Sequence, residues 1–207
     1  MSGKITVLLR GEKAAMKIYD ISQEVFSGAV YPGDPVPKRE VLSSTAAGDL
    51  YNLTAFSMCA HNGTHIDAPF HFLEDGVTVE RMPLEVFAGD CFVARQEGDV
   101  TREDAEEILA RAAGAERILI AGDATVTAEA AEVFAGAGIR LLGNEGQTVG
   151  PADAPMQVHV ILLGRGVALL EGIVLTGIPE GRYFLNAAPL KLAGADGAPC
   201  RAYLIAD

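Results

Sequence analysis

Residues 101–142 read TREDAEEILARAAGAERILIAGDATVTAEAAEVFAGAGIRLL. Thr101 stands three residues before Asp104, the spacing at which a hydroxyl and a carboxylate cap a helix start reciprocally. Ala105, Ile108, Leu109 and Ala112 recur at helical intervals on one apolar face, and Gly114 offers the stop. The spacing therefore predicts a helix over 101–113. A buried strand follows at 118–121, a second helix over 128–135 with Thr127 as its cap, and another strand at 139–142. This β-α-β-α-β rhythm predicts an α/β fold with some parallel sheet and covering helices.

Working outward, 17–21, 53–59 and 87–95 read as strands, and Tyr31-Pro32-Gly33-Asp34-Pro35 is a strong turn signal. Residues 156–163 form a short apolar segment that carries His159 and ends at Gly164. Residues 167–171 read as a strand closing on Glu171. The C-terminal stretches 183–192 and 201–205 resemble a hairpin around a turn at Asp196-Gly197. No repeat or linker divides the chain. Met16 is a plausible alternative start, so 1–15 is read as an N-terminal extension and 16–207 as one domain.

The 207 residues suffice for a substantial core, and the formal net charge is −12. The Lys and Arg residues do not cluster as a nucleic-acid footprint requires, and an anionic membrane surface would repel the chain. No apolar run approaches a membrane span, and no signal peptide is visible. Cys59, Cys91 and Cys200 are odd in number and far apart, which favours small buried thiols in a reducing, cytoplasmic compartment over disulfides. Cys59 precedes His61 by two, so a strand there would point both side chains to one face.

The chemistry concentrates in His61-Asn62-Gly63-Thr64-His65-Ile66-Asp67-Ala68-Pro69-Phe70-His71, spaced H-x3-H-x-D-x3-H. Neutral imidazole nitrogen and carboxylate oxygen are the usual ligands for zinc and related divalent ions. Gly63, Thr64 and Ile66 are poor helix formers, and Pro69 biases Ala68 away from the helical region. The segment is therefore a strand end that turns, with Gly63 letting the backbone bend close to an ion. A lone histidine is usually a surface or satisfied core residue, and His159 and Glu171 taken by themselves fit either reading. Three histidines and an aspartate at this spacing point to a metal site, with three protein ligands leaving a position open for water.

This motif resembles the H-x-G-T/A-H-x-D-x-P-x-H signature of the cyclase family, metal-dependent hydrolases that include bacterial kynurenine formamidase and isatin hydrolase. The resemblance extends to Tyr19-Asp20-Ile21-Ser22, to Tyr31-Pro32-Gly33-Asp34, to His159 with Glu171-Gly172 twelve residues on, and to Pro189-Leu190-Lys191 and Pro199-Cys200-Arg201-Ala202. It implies that His61, His65 and Asp67 hold a first metal and that Asp67, His159 and Glu171 complete a second. It implies that His71 donates and accepts protons beside the metals. Tyr31 stands where kynurenine formamidases have Trp, and it can stack on an aromatic substrate. The stretch 142–150 lacks the aspartates of the family's G-x-D-x-x-S-x-D-like segment, with Glu145 and Gln147 as partial substitutes.

The implied activity is arylformamidase hydrolysis of N-formylkynurenine by a metal-bound hydroxide, with His71 passing a proton to the leaving nitrogen. An isatin-hydrolase-like opening of a cyclic amide, or hydrolysis of another small amide or lactone, is the enzymatic alternative. A metal-stabilised binding protein without turnover is the alternative from another class. The implied cofactor is a divalent metal, zinc first and manganese as an option, as one or two ions. The implied fold is a central barrel-like mixed sheet related to swivelling β/β/α domains. The implied assembly is a homodimer or larger, with the N-terminal region near a neighbour's active site.

Overall fold

The computed structural model describes residues 16–206, so the expected extension 1–15 lies outside the described residues. The chain opens with β1 (Lys17–Asp20), then β2 (Lys38–Ser43) and β3 (Leu53–Ser57), which pair only with each other. The motif forms β4 (His65–Asp67). Next come β5 (Ala88–Arg95), β6 (Gly98–Val100), α1 (Arg102–Ala112), β7 (Arg117–Ala121), β8 (Ala124–Val126), α2 (Ala128–Gly136) and β9 (Leu141–Asn144). The chain ends with α3 (Met156–Gly164), β10 (Ala168–Glu171), β11 (Gly181–Asn186), β12 (Gly197–Pro199) and β13 (Tyr203–Ala206).

Nine strands form one mixed, curled sheet in the order β1-β13-β11-β5-β7-β9-β10-β4-β12. Its centre, β5-β7-β9-β10, is parallel, and antiparallel strands flank it on both sides. The expected βαβ rhythm is thus present. The Thr101 hydroxyl accepts from the Asp104 backbone N–H at 3.2 Å, and the Asp104 carboxylate accepts from the Thr101 N–H at 2.9 Å, so both halves of the capping box form.

Side-chain alternation along the central strands builds two cores. Phe92, Ala94, Ile118, Ile120, Leu142 and Leu169 meet the apolar faces of the three helices, including Ile108, Phe134 and Leu162. Their neighbours Cys91, Val93, Leu119, Leu141, Ala168 and Leu170 point to the other face and pack with Ile21, Ile66, Leu185 and Leu204 inside the curl. The central strands are therefore buried on both faces, which is why they read as continuous apolar runs.

Two expectations need correction. β11 and β13 do pair antiparallel, but Asp196-Gly197 is not their connecting turn. Gly197 begins β12, which crosses to the opposite sheet edge and pairs with β4, Gly197 opposite Asp67. This detour curls the sheet into a half-barrel. The Cys200 N–H donates to Thr64 O at 3.1 Å on one edge, and Ala202 O accepts from the Ile21 N–H at 3.0 Å on the other. The strand expected over 53–59 stops at Ser57, so Cys59 and His61 share no strand face.

Candidate metal centre and active site

β4 lies between β10 and β12, with His65 opposite Glu171 and Asp67 opposite Leu169. Alternation sends His65 and Asp67 to one face and Ile66 to the core on the other. Glu171 shares the face of Leu169, beneath the helices, at the carboxyl end of a parallel strand. Ligand crevices of open α/β sheets lie at such ends. His159 joins from α3, whose buried side is Val158, His159, Leu162 and Leu163.

A turn delivers His61. The Asn62 side-chain oxygen accepts from the Cys59 N–H at 2.7 Å, and Gly63 adopts φ +63°, a left-handed conformation that a glycine takes without strain. Thr64 ties the turn to its surroundings, donating its hydroxyl to Gly172 O at 2.6 Å and accepting the Gln23 N–H at 2.8 Å.

The donor atoms converge. His61 Nδ1 lies 2.8 Å from Asp67 Oδ1, and His65 Nε2 lies 3.3 Å from the same oxygen and 3.5 Å from Glu171 Oε2. His159 Nε2 lies 3.2 Å from Glu171 Oε1 and 3.5 Å from Asp67 Oδ2. Asp67 Oδ2 is buried with no hydrogen-bond donor. His65 and His159 each turn Nδ1 to a backbone carbonyl, Gly63 O and Pro155 O, both at 2.9 Å. That bond fixes the ring and aims Nε2 at the carboxylates, the outer arrangement metal-binding histidines use.

Three overlapping sets have donor atoms within 4.8 Å of one another, His61-His65-Asp67, Asp67-His159-Glu171 and His61-His71-Asp196, and the first two share the buried Asp67. Ligands about 2.1 Å from one ion stand about 3.4 Å apart at the tetrahedral angle. Within the two sets that share Asp67, His65–Asp67 at 3.3 Å, His159–Asp67 at 3.5 Å and His159–Glu171 at 3.2 Å fit that edge, while His61–Asp67 at 2.8 Å is a hydrogen-bond distance. The residues present therefore fit a divalent ion.

The electrostatics agree. Burial works against protonation of His65 and His159, but the Asp67 and Glu171 carboxylates beside them outweigh it and push both up to about 10. For Asp67 burial opposes ionisation, yet the imidazoles of His159, His61 and His65 around it hold the carboxyl well below its ordinary value. A metal-free site thus needs protons on its histidines to balance two buried carboxylates, the charge an ion would otherwise supply.

His71 ends the single 3₁₀ turn Pro69–His71. Its ring stacks on His61 with centroids 4.0 Å apart and meets Phe72 edge-on at 4.5 Å. Burial lowers its pKa, and the nearby Asp67 and Asp196 charges offset this only in part. Asp196 completes the group: its Oδ2 accepts from His61 Nε2 at 2.9 Å and from His71 Nδ1 at 3.1 Å.

A cavity of about 260 Å³ opens over the cluster, lined by four histidines and by Glu171, Tyr31, Phe72 and Gln147 among others. The structure thus gathers His61, His65, Asp67, His71, His159 and Glu171 around one centre and sets Tyr31 at its wall. The Tyr31 hydroxyl donates to Ala152 O at 2.9 Å, which holds the ring in place. Of the two residues expected to stand in for absent aspartates, Gln147 reaches the cavity. Glu145 instead accepts backbone N–H groups of Gly122 and Leu175. Cys59 belongs to no donor set among the described residues, and burial pushes its thiol up. Asp196 was not legible as a site residue, because Asp-Gly carries the signal of a turn and nothing more.

The family model Cyclase, described as "Putative cyclase", matches residues 19–151. Kynurenine formamidase of Erythrobacter litoralis (strain HTCC2594) is 33 % identical over 206 residues, covering 93 % of this chain and 95 % of its own. A predicted metal-dependent hydrolase from Bacillus stearothermophilus has a solved structure similar at a TM-score of 0.78 and 31 % identity, over 93 % of this chain and 99 % of that one. Isatin hydrolase A from Labrenzia aggregata shares the fold at a TM-score of 0.80 and 23 % identity, over 92 % and 94 %. With the family match spanning the histidine cluster and a relative one-third identical along nearly all of both chains, the chain belongs to the cyclase family.

Proposed function

We propose that this protein is a metal-dependent amidohydrolase, and specifically an arylformamidase that removes the formyl group of N-formylkynurenine. The observation that carries the reading is the spacing of His65, His159, Asp67 and Glu171 at tetrahedral ligand edges beneath a cavity of small-molecule size. The named relative supports the choice of substrate.

His61, His65 and Asp67 would hold one divalent ion, and Asp67, His159 and Glu171 a second. Nitrogen and carboxylate donors favour zinc, while the carboxylate share leaves manganese as an option. When bound, the metal polarises the amide carbonyl and acidifies water. The remaining work falls to the chain. Tyr31 and Phe72 flank the aromatic part of the substrate. His71, kept neutral near pH 7 by burial, accepts a proton from the attacking water and returns it to the nitrogen that leaves. Without that proton the nitrogen would depart as an anion.

The proposed enzyme acts in the cytoplasm as a homodimer or larger assembly. β2 and β3 expose Val41, Leu42, Leu53 and Phe56, and an isolated two-stranded ribbon is marginal in water, so a second copy would give this arm a partner. Light scattering should give at least twice the 21.7 kDa chain mass, and a monomer would overturn the assembly.

The deciding assay uses metal-stripped protein reloaded separately with zinc and with manganese, and N-formylkynurenine as substrate. Metal-dependent turnover at kcat/KM of about 10⁴ M⁻¹s⁻¹ or more is expected. Metal binding without turnover would discard this substrate and send the test to isatin and related cyclic amides.

A further inference from the structure

We propose that Asp196 is a positioning residue that sets the ring orientation and tautomer of two histidines at once, the metal-binding His61 and the proton-carrying His71. The inference rests on the proposed roles of those two residues.

One carboxylate oxygen receives both rings. Asp196 Oδ2 lies 2.9 Å from His61 Nε2 and 3.1 Å from His71 Nδ1, and the two imidazoles stack with planes 26° apart. An ionised carboxylate only accepts, so each facing nitrogen must carry the hydrogen. By the same rule both ring nitrogens of His61 carry hydrogen in the metal-free protein, Nε2 facing Asp196 and Nδ1 facing Asp67; an ion bound beside Asp67 would take the place of the Nδ1 proton and leave His61 held as the Nε2–H tautomer. His71 is protonated at Nδ1, which leaves the Nε2 lone pair as its only proton acceptor. A carboxylate behind a metal-bound or catalytic imidazole acts in this way by orienting it.

The backbone builds this position. The Ala68 N–H donates to Asp196 O at 2.9 Å, and the next residue, Gly197, pairs with Asp67. A Cβ on Gly197 would come within 2.7 Å of His61 Cε1 and 2.6 Å of Ile66 O, so the imidazole approaches β12 this closely only because glycine stands there. Asp196 is thus registered to the same strand that carries His65 and Asp67. The competing reading is that His61, His71 and Asp196 together hold an ion, since their donor atoms also lie within 4.8 Å of one another.

The test compares wild type, Asp196→Asn and Asp196→Ala. Three readouts separate positioning from ligation and from a merely structural role. In zinc-loaded protein, ring-nitrogen NMR should find His71 as the Nδ1–H tautomer in wild type and shifted toward Nε2–H in Asp196→Ala. Zinc affinity, measured by competition with a chelator, should weaken 10- to 100-fold in Asp196→Ala with the number of ions per chain unchanged. At saturating metal kcat should fall at least tenfold while KM stays within about threefold, with Asp196→Asn intermediate because its amide oxygen still accepts.

An unchanged His71 tautomer with unchanged zinc affinity overturns the proposal, as does loss of one ion per chain, which would make Asp196 a ligand. Should wild type fail to hydrolyse N-formylkynurenine, the substrate reading fails alone, because the NMR and affinity readouts need no substrate.

Discussion

His71 differs from the other histidines in what its ring meets. His61, His65 and His159 each place a nitrogen within 3.5 Å of Asp67, whereas His71 bonds Asp196 and borders the cavity. His71→Ala should therefore keep its metal, measured by elemental analysis, and lose about 10²- to 10⁴-fold in kcat. Full metal with an unchanged rate would remove its role as proton carrier. Asp67→Ala should behave in the opposite way, because this carboxylate belongs to two of the three donor sets and the substitution leaves neither of those complete. Metal content should fall to a few per cent of wild type, and retained stoichiometric metal would contradict the shared-ligand arrangement. These differences explain what the sequence made visible. His61, His65 and Asp67 are neighbours in the chain, so spacing alone reveals them. His159 and Glu171 come from α3 and β10, and only the family resemblance joined them to the motif. Asp196 reaches the site through the pairing of β12 with β4, a tertiary fact with no local mark.

At the level of elements, legibility followed amphipathicity. α1 and α2 carry capping residues and one-sided apolar faces, and each lies within one residue of its expected bounds. α3 carries apolar residues on its exposed side as well, including Val160 and Met156, so no periodicity distinguishes it from an apolar run in any other conformation. β12 is three residues long and begins with glycine, too short for a pattern. The capping box of α1 lies away from the donor sets, so it permits a clean stability test. Thr101→Ala removes the side-chain acceptor for the Asp104 N–H and should cost about 1 kcal/mol, or roughly 2–4 °C in Tm for a chain of this size. Thermal unfolding followed by circular dichroism would measure this, and hydrolysis at 25 °C should be unchanged. An equal loss of activity would mean that α1 couples to the site, which its packing does not suggest.

At the level of the whole molecule, the parallel centre of the sheet was legible because its strands alternate with capped helices, the rhythm of βαβ crossovers. The curl was legible only through the family resemblance, which implied a barrel-like mixed sheet, since it depends on residues 187–202 travelling from one sheet edge to the other. That curl brings β4, β10 and β12 together and buries two carboxylates among histidines, so the fold itself becomes sensitive to the ion. In metal-free protein the folded-state values for His65 and His159 lie at about 10, above the 6.5 of a free histidine. A group whose folded pKa is raised stabilises fully below its unfolded pKa, and that stabilisation is lost as pH climbs through the folded value. Metal-free protein should therefore lose stability progressively from about pH 6.5 to pH 10. Asp67, whose carboxyl is lowered, stabilises at all pH values above its unfolded pKa of 3.8 and so does not oppose this trend. In the loaded protein the same ring nitrogens bind the ion instead of protons, and their part of the slope disappears. The gap in Tm between loaded and metal-free protein should accordingly widen from pH 6.5 to pH 10. Ion uptake at pH 7.5 should release about two protons per chain, measured by calorimetry in buffers of different ionisation enthalpy. A gap that stays constant across that range, with no proton release, would mean that His65 and His159 are already neutral without metal.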